Sequence, residues 1–304
     1  MKILHLIDSF DARFDRDQIK LVELLEKKGH NATIISSRYC SDKTSTEQSV
    51  FRIWEKRYLT TKILHMPSLK IRTPFSRNPI IVYLPSLQIL YDYDVVHAYT
   101  FGTYSSLLGA ASKMIKRSKV VIRSDLSLAT YYKAKNNPLY RIMLTYPFKI
   151  TDAVYTYTIL EKRYLVDMGI QENKIWVIPV GIDHKKFSKV PITNENKRIS
   201  IGYLGRFCSD KGVHRIIAPL RRVLHEKINP LVVFTGMIDD PNYANKVMAP
   251  LKKYRNFKYL GYVTAHNVLP FYKTCDIILI PSLLETGAIT VLEAMASGLS
   301  LIHI

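Results

Sequence analysis

Acidic residues are scarce in this chain of 304: 25 Asp and Glu stand against 44 Lys and Arg, a formal charge of +19. That balance disfavours cationic partners and attracts polyanions, whether nucleic acid, an anionic membrane face or a phosphorylated substrate. A generally basic proteome would give the same balance. Cysteine is scarcer still. Cys40, Cys208 and Cys275 are far apart, odd in number and without C-x-x-C spacing. This argues against a disulfide framework or a zinc site and fits a reduced, cytoplasmic setting. An apolar run of the roughly 20 residues that a membrane-crossing helix takes is also missing. The opening "MKILHLIDSF" reads as a buried strand and not as a signal peptide. With 47% hydrophobic residues, 14 Pro and 12 Gly, the composition is that of a globular protein.

What is present is an alternation of short apolar runs with amphipathic stretches, the pattern of parallel sheets covered by helices. "KILHLID", "HNATIIS", "DVVHAY", "KVVIRS", "DAVYTYT" and "KIWVIPVG" read as strands. "RDQIKLVELLEKKG", "YSSLLGAASKMIKR" and "ILEKRYLVDMG" read as helices between them, the first stopped by Gly29. A second cycle begins at "RISIGYLG" and continues through "VHRIIAPLRRVLHEK", "PLVVFTG", "FKYLGYV" and "DIILIPS". Between the cycles, Pro179, Gly181 and Pro191 break the periodicity. The expected architecture is α/β, with two facing Rossmann-like domains over residues 1–180 and 181–304. Their strand ends would meet at a shared cleft.

Two stretches carry chemistry. In "GYLGRFCSDKGVHRII" a strand ends at Gly205, Arg206 and Lys211 flank a turn, and a helix follows Gly212. Glycines admit close backbone approach, a helix start offers free N–H groups, and two cations neutralise anionic oxygens. A plain strand–turn–helix with exposed cations would look the same. In "LLETGAITVLEAMASG" two carboxylates, Glu285 and Glu293, sit among small and apolar residues. Glu285 follows a strand end, where such sheets bind ligands, and Glu293 lies beside an apolar helix stripe, where a carboxylate requires hydrogen bonds. Together they suit sugar or ribose hydroxyls. A solvated loop acid and a helix ion-pair partner are the plainer alternative.

These pieces, with "KIWVIPVGIDHKKF", "LVVFTG", "FKYLGYV" and "CDIILIPS", resemble in order and spacing the nucleotide-sugar-dependent glycosyltransferases of family 4, or group 1. The resemblance is strong from Ile175 to Gly298 and looser before it. It implies the GT-B fold and retaining transfer from a nucleotide-diphosphate sugar, with no metal and no cofactor besides that co-substrate. It also implies roles. Arg206, Lys211 and Glu285 would be catalytic, the cations on the diphosphate and Glu285 on the transferred sugar. Gly205, Gly236, Tyr262, Val263, Gly287, Ala288 and Glu293 would bind the donor, with Glu293 on the ribose in the family's E-x7-E element. On the acceptor side stand Arg13, His97, Tyr99, Gly102 and Asp125.

The chain departs from the family in two places. Ala12-Arg13 replaces the usual Gly-Gly turn after the first strand, and "RSDLS" puts Asp125 or Ser124 where many members carry a histidine. In the family "EAMASG" is followed by a further strand and helices. The closing "LSLIHI", residues 299–304, is therefore expected to be a foreign tail on an incomplete second domain that lacks a strand. Finally, Arg52 to Arg77 holds seven basic residues against Glu55 alone, interleaved with Trp54, Tyr58 and Phe75. Cations among aromatics suit an anionic membrane surface, and hence a peripheral place on its cytosolic face near a lipid-linked acceptor. A solvated loop is the other reading of that segment. A nucleotide-sugar epimerase and a basic, non-catalytic binding protein are the alternative functions; nucleic acid is not the expected partner.

Overall fold

The computed structural model describes residues 1–8, 16–37, 62–66, 68–71, 80–83, 91–99, 103–115, 118–188, 198–226, 228–264, 267–285 and 287–303. Arg13, Gly102 and most of Arg52–Arg77 lie outside them. The chain divides into two compact units, Met1–Val180 and Gly181–Ile304.

The first unit runs β1 (Lys2–Ile7), α1 (Arg16–Lys27), β2 (Asn31–Ser37), β3 (Lys62–Met66), β4 (Ser68–Ile71), β5 (Ile80–Tyr83) and β6 (Val95–Tyr99). It continues with α2 (Tyr104–Ile115), β7 (Lys119–Arg123), α3 (Leu128–Lys135), α4 (Pro138–Ile150), β8 (Ala153–Thr156), α5 (Ile159–Asp167) and β9 (Ile175–Val177). Seven strands form one sheet in the order β3-β2-β1-β6-β7-β8-β9, and every pair is parallel. Strands β4 and β5 pair antiparallel by themselves. Strands buried on both faces read as continuous apolar runs, which is why the sequence pattern located them. On one face Leu4, Leu6, Val96, Ala98, Val120, Ile122 and Val154 pack against Leu144, Phe148 and Leu165. On the other, α1 lays Ile19 and Val22 against Ile7, Ile34 and Tyr99. Gly29 has φ +81°, the left-handed stop expected after α1.

The second unit runs α6 (His184–Ser188), β10 (Ser200–Leu204), α7 (His214–His225), β11 (Leu231–Thr235), α8 (Pro241–Lys252) and β12 (Phe257–Tyr259). Then come α9 (Val268–Lys273), β13 (Ile277–Ile280), α10 (Ile289–Ala296) and β14 (Ser300–His303). Its five-stranded sheet has the order β12-β11-β10-β13-β14, again parallel throughout. Cores lie on both faces, one around Phe207, Ile216, Phe234 and Leu251, the other around Phe271, Tyr272, Ile278 and Ala294. The tail expected to be foreign forms β14, with Ile277 opposite Ser300 and Ile280 opposite His303. The strand expected to be wanting is thus supplied by those residues.

Helices α4, α8 and α9, each of which contains proline, escaped the sequence pattern, as did the short α3, which contains none. Pro138 and Pro241 stand in the first turn, where a missing N–H is no loss.

Candidate functional site

In the second unit the site is built at the C-terminal ends of β10, β11 and β13. The chain leaves β10 through Gly205 and Arg206, makes a single 3-10 turn over Ser209–Lys211, and turns left-handed at Gly212 (φ +60°) to enter α7. A Cβ on Gly212 would strike the Pro281 carbonyl, so only glycine lets this turn lie against the loop after β13. The Leu283 amide donates to the Asp210 carbonyl at 2.9 Å, tying the two loops together. Gly236, at the end of β11, has φ +144°, and a Cβ there would strike the Gly205 carbonyl. Both glycines are therefore required by backbone contact inside the protein.

On this frame the charges fall into pairs. Arg206 Nη1 donates to Asp239 Oδ2 at 2.6 Å, with its side chain 54% exposed. Burial works against the Arg206 charge, but Asp239 and Cys208 outweigh it, holding the pKa above the ordinary guanidinium value. Lys211 Nζ donates to Glu285 Oε1 at 2.6 Å, and Ser282 Oγ donates to the same oxygen at 2.7 Å. Beneath Arg206, the buried Tyr203 hydroxyl donates to the Arg206 carbonyl at 2.8 Å, and burial raises its pKa. Glu293 differs from all of these. It faces inward from α10 at 4% exposure and accepts the Tyr272 hydroxyl at 2.8 Å, the hydrogen bond that a carboxylate on a packed face requires. Ala288 precedes the first turn of α10, whose leading N–H groups have no intrahelical acceptor. Tyr262 is partly exposed beyond β12, and Val263 packs against the core.

The predicted residues are thus brought together in part. Lys211 and Glu285 touch; Arg206 is held by Asp239; Glu293 lies under α10 with Tyr272. Sequence reasoning missed Asp239, Ser282 and Tyr272. Asp239 and Ser282 follow strand ends, so position in the pattern could have found them. Tyr272 comes from a different element and left no local signal.

In the first unit, His5, His97, Tyr99, Arg123 and Tyr155 share one face of the sheet. Parallel register sets His5 opposite His97, Tyr99 opposite Arg123 and Arg123 opposite Tyr155. The rings of His5 and His97 are 5.2 Å apart and edge-on, and His97 lies 4.2 Å from the Tyr99 ring. The Tyr155 hydroxyl and His97 Nε2 are 3.1 Å apart, as are the Tyr99 hydroxyl and His5 Nδ1. Burial lowers the His5 pKa to about 4. Burial, then His5 and Arg123, lower that of His97 well below the ordinary value. Arg123, 7% exposed, donates through Nη2 and Nε to Asp125 Oδ2 at 2.8 and 3.1 Å, and through Nη1 to the Tyr157 hydroxyl at 2.8 Å. Its guanidinium lies over the Tyr99 ring.

Nearby acids are held by backbone. Asp8 accepts the Ser105 amide at the start of α2, at 2.8 Å, and burial raises its pKa. Glu161 accepts the Leu126 and Tyr157 amides, and burial raises its pKa to about 7. Sequence reasoning found His97, Tyr99 and Asp125 here but not Arg123, Tyr155 or Tyr157, which join them only through sheet register.

Comparison with known proteins gives the context. Residues 19–186 match the family described as Glycosyltransferase Family 4, and residues 184–304 match Glycosyl transferases group 1. A curated relative, an uncharacterized glycosyltransferase of Methanocaldococcus jannaschii, is 31% identical over 96 residues. That stretch is 32% of this chain and spans 24% of the relative. Among solved structures, Anabaena HepE in complex with UDP and glucose superposes with a TM-score of 0.73 at 15% identity, over 100% of this chain and 80% of that one. A Rickettsia africae glycosyltransferase gives 0.70 at 20% identity, over 99% and 78%. Sucrose-phosphate synthase of Thermosynechococcus elongatus gives 0.70 at 14%, over 100% and 81%. Likeness at these identities speaks to fold, and the fold is GT-B. With one family model spanning more than half of its residues and a second taking up where the first ends, the chain belongs to glycosyltransferase family 4.

Proposed function

We propose that this chain transfers a hexosyl or related sugar from a nucleotide-diphosphate sugar to an acceptor hydroxyl, with retention of anomeric configuration and without a metal. The observation that carries the reading is a set of two ion pairs on loops at the ends of parallel strands: Arg206–Asp239, with Arg206 open to solvent, and the partly buried Lys211–Glu285. An exposed ion pair is held by about 1 kcal/mol or less, so an incoming diphosphate can take over Arg206 at small loss, and it can replace Glu285 as the counter-charge of Lys211. Anabaena HepE, which shares the fold, has been crystallised with UDP and with UDP-glucose.

In this reading Arg206 and Lys211 hold the diphosphate and stabilise the charge that grows as it leaves. Glu285, released from Lys211, accepts hydroxyls of the transferred sugar. The Gly287 and Ala288 backbone and the start of α10 take the distal phosphate. Glu293, steadied by Tyr272, accepts the ribose hydroxyls, and the Tyr262–Val263 backbone borders the base. Gly205 and Gly236 leave room for the ligand beside the chain.

The anomeric carbon–oxygen bond breaks with its electron pair passing to the diphosphate. The acceptor oxygen bonds to the same face of the sugar, and its proton goes to the departing phosphate oxygen. His97, Tyr99 and Asp125 line the acceptor side, and a lipid-linked acceptor at a cytosolic membrane face fits the excess of positive charge.

A thermal-shift series with nucleoside diphosphates and their sugars tests the donor assignment. A ligand at a hundred times its dissociation constant adds roughly 2.7 kcal/mol, several degrees in Tm. Arg206→Ala should weaken that ligand about thirtyfold, the loss of one charge-assisted contact of about 2 kcal/mol. No shift with any nucleotide would sink the reading.

A further inference from the structure

Helix α4 packs Leu144, Thr145, Pro147 and Phe148 inward, as its amphipathic fold requires. Its outer face is apolar as well. Leu139 and Ile142 are each 62% exposed, Met143 51% and Tyr146 49%, a stripe at the i, i+3, i+4, i+7 spacing of one helix side. Helices α2 and α3 both pack against α4. They too expose apolar side chains, Leu107, Met114 and Ile115 on α2 and Tyr132 on α3. A solvent-facing helix side is ordinarily polar, and an exposed apolar stripe like that of α4 marks a contact site.

The surrounding charge is mostly positive, although Asp167 of α5 accepts the Tyr131 hydroxyl of α3. From Tyr104 to Thr151 the sequence holds nine basic residues against Asp125 alone, and Asp125 is taken up by Arg123. Lys133 and Lys135 of α3 and Lys149 of α4 are exposed. Asp152, at the far end, is already engaged by Lys113 and Lys119. Among the described residues no helix is long and apolar enough to cross a membrane. Helix α4, about 20 Å long, has the form of an element that lies in an interface.

We infer that the α2–α3–α4 face of the first unit docks on an anionic lipid bilayer, inserting Leu139, Ile142, Met143 and Tyr146 while lysines meet the headgroups. Both components are needed. The apolar stripe gives depth of insertion, and the excess of lysine and arginine over acid gives preference for negative lipid. The inference is independent of the nucleotide-sugar chemistry. It also places the contact on residues other than Arg52–Arg77.

Flotation of the full chain with two vesicle types tests it, phosphatidylcholine alone and phosphatidylcholine with one-third phosphatidylglycerol. The wild type should partition onto the anionic vesicles, weakly onto the neutral ones, and less as salt rises. Leu139→Ser/Ile142→Ser/Met143→Ser should lower the partition coefficient at least tenfold with an unchanged circular dichroism spectrum. Lys135→Glu/Lys149→Glu, which leaves the stripe whole, should lower it at least about tenfold on anionic vesicles only, each cation near the surface being worth about fivefold. Unaltered partition of both variants would overturn the inference, as would equal partition of the wild type onto the two vesicle types. A wild-type dimer made monomeric by the serine variant, with no vesicle binding by either, would reassign the face to a second copy of the chain. Nucleotide thermal shifts, read in the same variants, report on the donor site alone and so separate the two proposals.

Discussion

The ends of the two parallel sheets carry charge in opposite ways. In the second unit, the solvent-exposed Arg206 pairs with Asp239 and the partly buried Lys211 with Glu285, on glycine-dependent loops. In the first, Arg123 is enclosed by Asp125, Tyr157 and the Tyr99 ring, beside histidines that burial keeps neutral. Water already screens an exposed pair, so exchanging its partner for a ligand is inexpensive. A buried guanidinium that loses its carboxylate is left without compensation. One strand-end cluster is therefore suited to trading partners and the other to holding a fixed shape.

Substitution can break this contrast. Asp125→Ala should destabilise the protein by about 3 kcal/mol in urea unfolding, because it strands the Arg123 charge. A loss below about 1 kcal/mol would show the first-unit pair to be as open as the second.

The next effect is in pH. His5 titrates near 4 in the folded protein and near 6.5 unfolded. The unfolded chain therefore binds more protons between those values, and stability falls as pH drops from about 6.5 to about 4, by up to about 3 kcal/mol. Glu161 acts in the opposite sense: its raised pKa favours the folded state at low pH, a gain lost as pH rises from about 4.5 to about 7. The difference in Tm between the wild type and His5→Phe cancels the Glu161 contribution. That difference should move against the wild type across the acid window; a flat difference would mean that His5 carries its proton when folded.

The smallest effect sharpens the comparison from the other side. Glu285→Ala should alter stability by less than about 1 kcal/mol while changing how the donor sugar, but not the nucleoside diphosphate alone, shifts Tm. Equal loss with both ligands would remove Glu285 from the sugar.

Much of the fold was legible in the sequence because fully buried strands leave uninterrupted apolar runs and Gly29 marks a helix end. Helix α4 was not, since Pro138 and Pro147 interrupt the text of a helix that tolerates both, and apolar residues on both of its sides blur the period. The same blurring hid the exposed stripe. Of the site, Arg206, Lys211, Glu285 and Glu293 could be picked out from residue type and position. Their partners Asp239, Ser282 and Tyr272 could not, except by place in the strand pattern.

By itself the sequence determined many of the strands and helices, the excess of positive charge, and the acids and bases near the strand ends. These are local properties of composition and spacing. Only the tertiary structure decided that Glu285 neutralises Lys211, that Tyr272 satisfies Glu293, and that His5 meets His97 across a register. It also decided that one apolar side of α4 is buried and the other open. Each depends on contacts between residues distant in the chain, and packing rather than sequence neighbourhood sets those contacts.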